Sequence, residues 1–228
     1  MLKDPMTRTR PKKPGPRKPR LSRAQKSLIT EQALIFAAAE VIGEHGYAGA
    51  SVARITERAG VAQGTFYLYF DSRQNLFDQL LARIDEHALA FIAKRVAGSG
   101  SIVALEERGF RAYLDYLARH PWYARLVNET AAFSSHSFRQ FWERHIANYV
   151  RVLTRAKAAG ELAAYGEGEL EALAKILLAM RSFLLDSTSG VFGDNPAADQ
   201  SLADTYLKFL HSALNGAPPP PSTQDPVS

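Results

Sequence analysis

The stretch Ser51-Val52-Ala53-Arg54-Ile55-Thr56-Glu57-Arg58-Ala59-Gly60-Val61-Ala62-Gln63-Gly64-Thr65-Phe66-Tyr67-Leu68-Tyr69-Phe70 decides the fold. Ser51 can accept a bond from an orphan backbone N–H, and Val52, Ile55 and Ala59 form a short apolar face that Gly60 ends after two turns. Val61 and Ala62 make a turn, and the spacing predicts a third short helix from Gln63 to about Phe70. Two short helices joined by a tight Gly-containing turn are a helix-turn-helix. Phe66 and Phe70, four apart, point to one side and are expected beneath the neighbouring helices.

A short helix enters a major groove only if its outward residues are small or polar while its inward ones anchor it. Gln63, Gly64, Thr65 and Tyr67 suit the outward role. Gln63 offers a bidentate amide to adenine, Gly64 lets the backbone approach base edges, and Thr65 brings a hydroxyl for phosphate and a methyl for thymine. Ser51, Arg54, Tyr69 and Arg73 are assigned to the phosphate backbone. A helical hairpin whose aromatic run is simply core is the rival explanation, and the turn glycine with the Gly64-Thr65 pair weighs against it.

Ser51 to Ile55, Ala59 to Phe70, Ser72-Arg73 and Leu76 together resemble the TetR family of bacterial transcriptional regulators, over roughly residues 28–80. Ala62 stands where that family often has a capping Ser, and Arg73 replaces its usual Lys. The resemblance implies an all-α protein of about nine helices: a three-helix DNA-binding head over residues 27–72 and a ligand-binding and dimerisation domain over 73–215. It further implies a homodimeric, cytoplasmic repressor, released from a palindromic double-stranded operator by a small apolar or amphipathic effector.

Outward from the motif, a first helix is expected over about 28–45, with Leu34, Ile35, Val41 and Ile42 inward and Gly46 as its stop. A long helix follows from Arg73 to the Gly98-Ser99-Gly100 break, then helices over about 101–120, 121–133 (Pro121 at its first position), 135–159, 167–186 and 198–214. No strand is expected. Tyr113, Leu117, Trp122, Phe138, Trp142, Tyr149 and Arg181 are candidate walls of a ligand pocket, with ordinary core packing the competing explanation for the aromatics. Arg181, in an apolar stretch, needs a partner: a body acid such as Glu129 or Asp186, or a ligand carboxylate or phosphate. The 167–186 helix carries apolar residues on two lines, and Ile176, Phe183, Leu202, Tyr206 and Phe209 are candidate dimer contacts in the light of the resemblance.

The 228 residues contain no Cys, and the six His are not spaced as paired ligands, so no metal site and no cofactor is expected. No run approaches the roughly 18 apolar residues of a spanning helix, and no membrane partner is expected. Nucleotide-binding, zinc-protease and serine-hydrolase motifs are absent, and the acid pairs Asp85-Glu86 and Glu106-Glu107 are expected on solvent faces, so no enzyme is expected. A helical adaptor that binds protein is the alternative, but it leaves the outward Gln63-Gly64-Thr65 set without a purpose.

The charge is lopsided. Residues 1–26 hold ten Lys or Arg against one acid, a net of +9, whereas the remainder has 18 basic and 22 acidic residues, a net of −4. This proline-interrupted arm is expected to be disordered when free, as is the proline-rich tail 216–228. A basic arm ahead of a DNA-reading head suits an adjacent minor groove. Deleting residues 1–20 is expected to weaken DNA binding and flatten the slope of log K against log salt, and an unchanged slope rejects that role.

Overall fold

The computed structural model describes residues 22–98, 100–184 and 200–216. Most of the basic arm, the tail beyond Gly216, and Asp186 lie outside them. The described residues form nine α-helices and one 3-10 turn, with no strand among them. None of these helices is long and apolar enough to cross a membrane.

Helix α1 spans Arg23–Gly49 and starts earlier than expected, so residues 23–26 are helix rather than arm. The cause is a capping box: the Ser22 hydroxyl accepts the Gln25 N–H at 3.1 Å while Gln25 Oε1 accepts the Ser22 N–H at 2.9 Å. Gly46 does interrupt the helical path, at φ 69° and ψ 170°, but one further turn follows before Ala50.

Helix α2 (Val52–Ala59) is capped by Ser51, whose hydroxyl accepts the Arg54 N–H, and ends on left-handed Gly60. Helix α3 covers only Gln63–Phe66, shorter than the expected run to Phe70. After Phe66 the chain tightens: the Tyr69 and Phe70 N–H groups both donate to the Phe66 carbonyl at 3.0 Å. That turn swings Phe70 back beside Phe66, the ring centroids 5.5 Å apart and both side chains buried.

The long α4 (Arg73–Val96) leaves the head with Leu76, Phe77, Leu80, Leu81, Ile84 and Ala88 inward. Helices α5 (Ile102–Arg119), α6 (Tyr123–Phe133), α7 (Ser135–Ala158), α8 (Leu170–Leu184) and α9 (Gln200–Asn215) complete the body. Pro121 lies in the turn before α6 rather than at its first helical position. A 3-10 turn, Glu167–Glu169, leads into α8. One apolar core runs without a break from Leu34, Ile55 and Phe66 of the head to Leu177 and Leu210 of the body.

Head and body are clasped where α6 meets the end of α1. Arg125 donates to the Gly43 carbonyl at 3.0 Å and pairs with Glu129 at 2.8 Å, and Glu129 accepts the Tyr47 N–H beyond the Gly46 break. Tyr47 stacks on Phe133 with centroids 4.0 Å apart. Trp122 closes the joint, because a Cβ at Gly43 would stand 2.2 Å from Trp122 Cβ, a separation that packed atoms do not tolerate. Replacing Gly43 by Ala should therefore destabilise the protein by about 1–3 kcal/mol in urea unfolding. The same change at an open helical position stabilises by roughly 0.5–1 kcal/mol, so the sign alone tests the contact.

Candidate nucleic-acid interface and ligand cavity

Gln63, Gly64 and Tyr67 are exposed on α3 and the turn after it, and Thr65 is half-buried, while Phe66 beneath them is fully enclosed. Gly64 has an ordinary φ, and a Cβ there would meet nothing within 4 Å. Neither backbone strain nor packing inside the chain accounts for a glycine at that position. Leu68, to which the sequence pattern alone assigns no role, is 79% exposed at the tip of the same turn. Its position off the Phe66–Phe70 line was the available signal.

Of the residues assigned to phosphate contact, Ser51 spends its hydroxyl on the α2 cap, and Arg54 donates one amino group to the Gly49 carbonyl at 2.7 Å. Tyr69 is half-buried and accepts a hydrogen bond from Ser27, tying the start of α1 to the turn. Arg73 opens α4 with its guanidinium 5.1 Å from the Tyr47 ring centroid, a cation–π contact that holds it beside the head. Nearby Arg58 is bound by Glu40 at 3.1 Å and Glu44 at 2.6 Å, which raises its pKa further.

In the body, α4, α5, α6, α7 and α8 surround a cavity of about 330 Å³. Tyr113, Trp142, Tyr149 and Arg181 line it. Leu117, Trp122 and Phe138 do not: Leu117 is buried in the core, Trp122 packs at Gly43 with Phe36 and His120, and Phe138 packs edge-on against Trp142.

Among the described residues the partner of Arg181 is Glu106, at 2.9 Å, rather than Glu129, and Asp186 lies outside those residues. Glu129 is taken by Arg125. The Tyr149 hydroxyl also donates to Glu106, and Arg181 reaches that hydroxyl at 3.3 Å. Near the same cavity, Asp85 pairs with His145 at 2.7 Å, with the Tyr123 hydroxyl at 3.5 Å and Arg144 Nε 3.9 Å from its second oxygen.

The expectation that both acid pairs lie on solvent faces fails for one member of each: Asp85 and Glu106 are 0% and 2% exposed. They continue inward stripes, Asp85 between Leu81 and Ala88, Glu106 between Ile102 and Phe110. That spacing was the signal that their adjacency concealed.

Burial pushes Tyr113 up to about 12, with Arg181 opposing and Asp85 adding to the rise. Burial also raises Tyr149 and Tyr123, the first against a lowering by Arg181. It lowers His87 and His120, whose rings sit 5.7 Å apart where α4 meets the end of α5.

Among the proposed dimer contacts, Ile176, Phe183 and Phe209 are large exposed apolar side chains, joined by exposed Ala172 and Ala179 on α8. Leu202 is half-buried. Tyr206 does not belong to that surface: it is 3% exposed and packs against Phe110 in a tilted arrangement, with ring centroids 4.4 Å apart. Among the described residues, no group of three or more His, Asp or Glu is placed to hold a metal.

The sequence pattern of the bacterial regulatory proteins of the tetR family matches residues 34–80, from the buried face of α1 through α2 and α3 into α4. The HTH-type transcriptional repressor AcnR of Corynebacterium diphtheriae is 32% identical over 118 residues, 51% of this chain and 57% of that protein. The uncharacterized HTH-type transcriptional regulator YvdT of Bacillus subtilis is 43% identical over 65 residues, 28% of this chain and 34% of that one. The chain thus spans between about a third and somewhat over half of the length of these curated relatives. In fold, it is similar to the fatty acid degradation regulator FadR of Bacillus halodurans, with a TM-score of 0.65 and 19% identity over 82% of this chain and 95% of that one. The helix-turn-helix on an all-helical body, the matched segment and these likenesses agree: residues 34–80 match the tetR-family pattern, and the fold around them is similar to that of a solved regulator.

Proposed function

We propose that the protein is a ligand-responsive transcriptional repressor that occupies a palindromic operator as a homodimer and leaves it when a small molecule fills the body cavity. The observation that carries the reading is the surface of α3. Its outward residues are free to meet base edges, the inward Phe66 and Phe70 are locked in the core, and the open space at Gly64 serves nothing within the chain. A backbone that approaches base edges closely needs such a gap. The exposed Leu68 adds an apolar contact for a thymine methyl or a sugar.

The apolar line Ala172, Ile176 and Ala179 on α8, with Phe209 on α9, supports the pairing. An isologous interface there would set two recognition helices about a twofold axis, as a palindrome requires. The cavity under α6 is the site assigned to the effector.

Fluorescence anisotropy with duplexes from the neighbourhood of the protein's own gene tests DNA binding. Gly64→Ala should leave the melting temperature unchanged or slightly higher, yet weaken operator binding by about tenfold. Equal affinity for the two proteins would remove α3 from the interface. Joint substitution of Ile176 and Phe209 by Glu should yield a monomer in sedimentation and lower operator affinity, whereas a persisting dimer would assign the pairing to another surface.

A further inference from the structure

With the effector assigned to the body cavity, an assignment on which this inference rests, the chemistry of the wall decides which molecule is accepted. Besides its tyrosines, that wall has two acidic side chains, Asp85 and Glu106, and two basic ones, His145 and Arg181. Arg181 is committed to Glu106, which also accepts the Tyr149 hydroxyl. Asp85 is committed to His145, with the Tyr123 hydroxyl as a second donor and Arg144 next to it. Arg181 Nε and Asp85 Oδ2, which have no hydrogen-bond partner, are covered by protein.

An entering carboxylate would meet an Arg181 whose charge Glu106 already balances, and full pairing with it would displace that acid, leaving it buried and unpaired. An ammonium group would have to take Asp85 from His145 in the same way. The first exchange strands a charge away from water, the condition under which buried pairs become costly, and the second strips His145 of its hydrogen-bond partner.

Among the uncharged polar groups of the wall, which include Asn128, Asn148 and Ser182, Tyr113 is a phenol whose ring belongs to the cavity lining. Tyr113 has no hydrogen-bond partner among the described residues, and its hydroxyl sits deep in the protein without being covered. Burial keeps it protonated at neutral pH, so it stands as an O–H donor facing the cavity. The rest of the wall is mainly aliphatic and aromatic, with Leu89, Ile92, Val127, Trp142, Val152 and Leu178. We propose that the cavity selects an uncharged, largely apolar molecule with one hydrogen-bond acceptor, held by the Tyr113 hydroxyl, and rejects ionised forms of the same skeleton.

The test uses the full chain and four probes on one skeleton: decanol, methyl decanoate, decanoate and decylammonium. They are compared at neutral pH below their micelle concentrations by thermal shift and titration calorimetry. Decanol and the ester should raise the melting temperature and bind at least about tenfold more tightly than either ion. Tyr113→Phe should weaken the neutral probes by about fivefold, the loss of one hydrogen bond, without lowering the melting temperature of the unliganded protein. Decanoate or decylammonium binding as tightly as decanol overturns the proposal, as does binding of none of the four. Selective binding of decanol that leaves operator affinity unchanged supports this inference and refutes the effector assignment, so the two readings fail separately.

Discussion

The contact of Trp122 with Gly43 is the constraint on which the two halves depend. Because no side chain fits at residue 43, α6 lies directly on the backbone of α1, and the Arg125–Glu129 pair fastens it on both sides of the Gly46 break. The opposite side of α6 presents Tyr123, Ala124 and Val127 to the cavity. One helix therefore has the head on one face and the candidate ligand space on the other. Packed interiors transmit displacement rather than absorbing it. A molecule that shifts α6 by a fraction of an ångström would move the end of α1, and with it the platform on which α2 and α3 rest.

Around the cavity, acids meet basic side chains across helices rather than within them. Asp85 of α4 meets His145 of α7, and Glu106 of α5 meets Arg181 of α8, so each pair ties together elements far apart in sequence. Such pairs add little net stability over an apolar filling, but losing one partner costs about 3–5 kcal/mol. Their weight thus falls on which helix faces can meet. A shift of α7 by one residue would part Asp85 from His145 and Tyr149 from Glu106 together, which makes the polar contacts a register lock on an otherwise greasy wall.

Local chemistry was legible in the sequence wherever a residue's role is set by its near neighbours. Ser51 as a cap, Gly60 as a stop and the four-residue spacing of Phe66 and Phe70 were readable because each acts within a turn or two. The roles of Asp85 and Glu106 were not, since an acid beside another acid looks solvated until the helix is placed against a basic partner 60 or 75 residues away. Trp122 and Tyr206 failed for a related reason. Periodicity shows that an aromatic is inward, but whether inward means a cavity wall, a joint or the core depends on the helix opposite. On α8 the two apolar lines did separate, Leu170, Leu173 and Leu177 inside and Ala172, Ile176 and Ala179 outside, because a helix buried on one side must leave its other stripe uncovered.

The recognition segment shows how far this dependence reaches. A four-residue helix has no stability of its own, and Ala62 gives α3 no side-chain cap. What holds Gln63, Thr65 and Tyr67 in place is the pair of rings at Phe66 and Phe70, seated in the core shared with α1 and α4, with the Tyr69–Ser27 bond tying the turn to the start of α1. The outward surface is thus positioned by packing rather than by helix propensity. Its orientation follows the helices beneath it, and that is the property a regulator needs if events in the body are to change what the head presents to DNA.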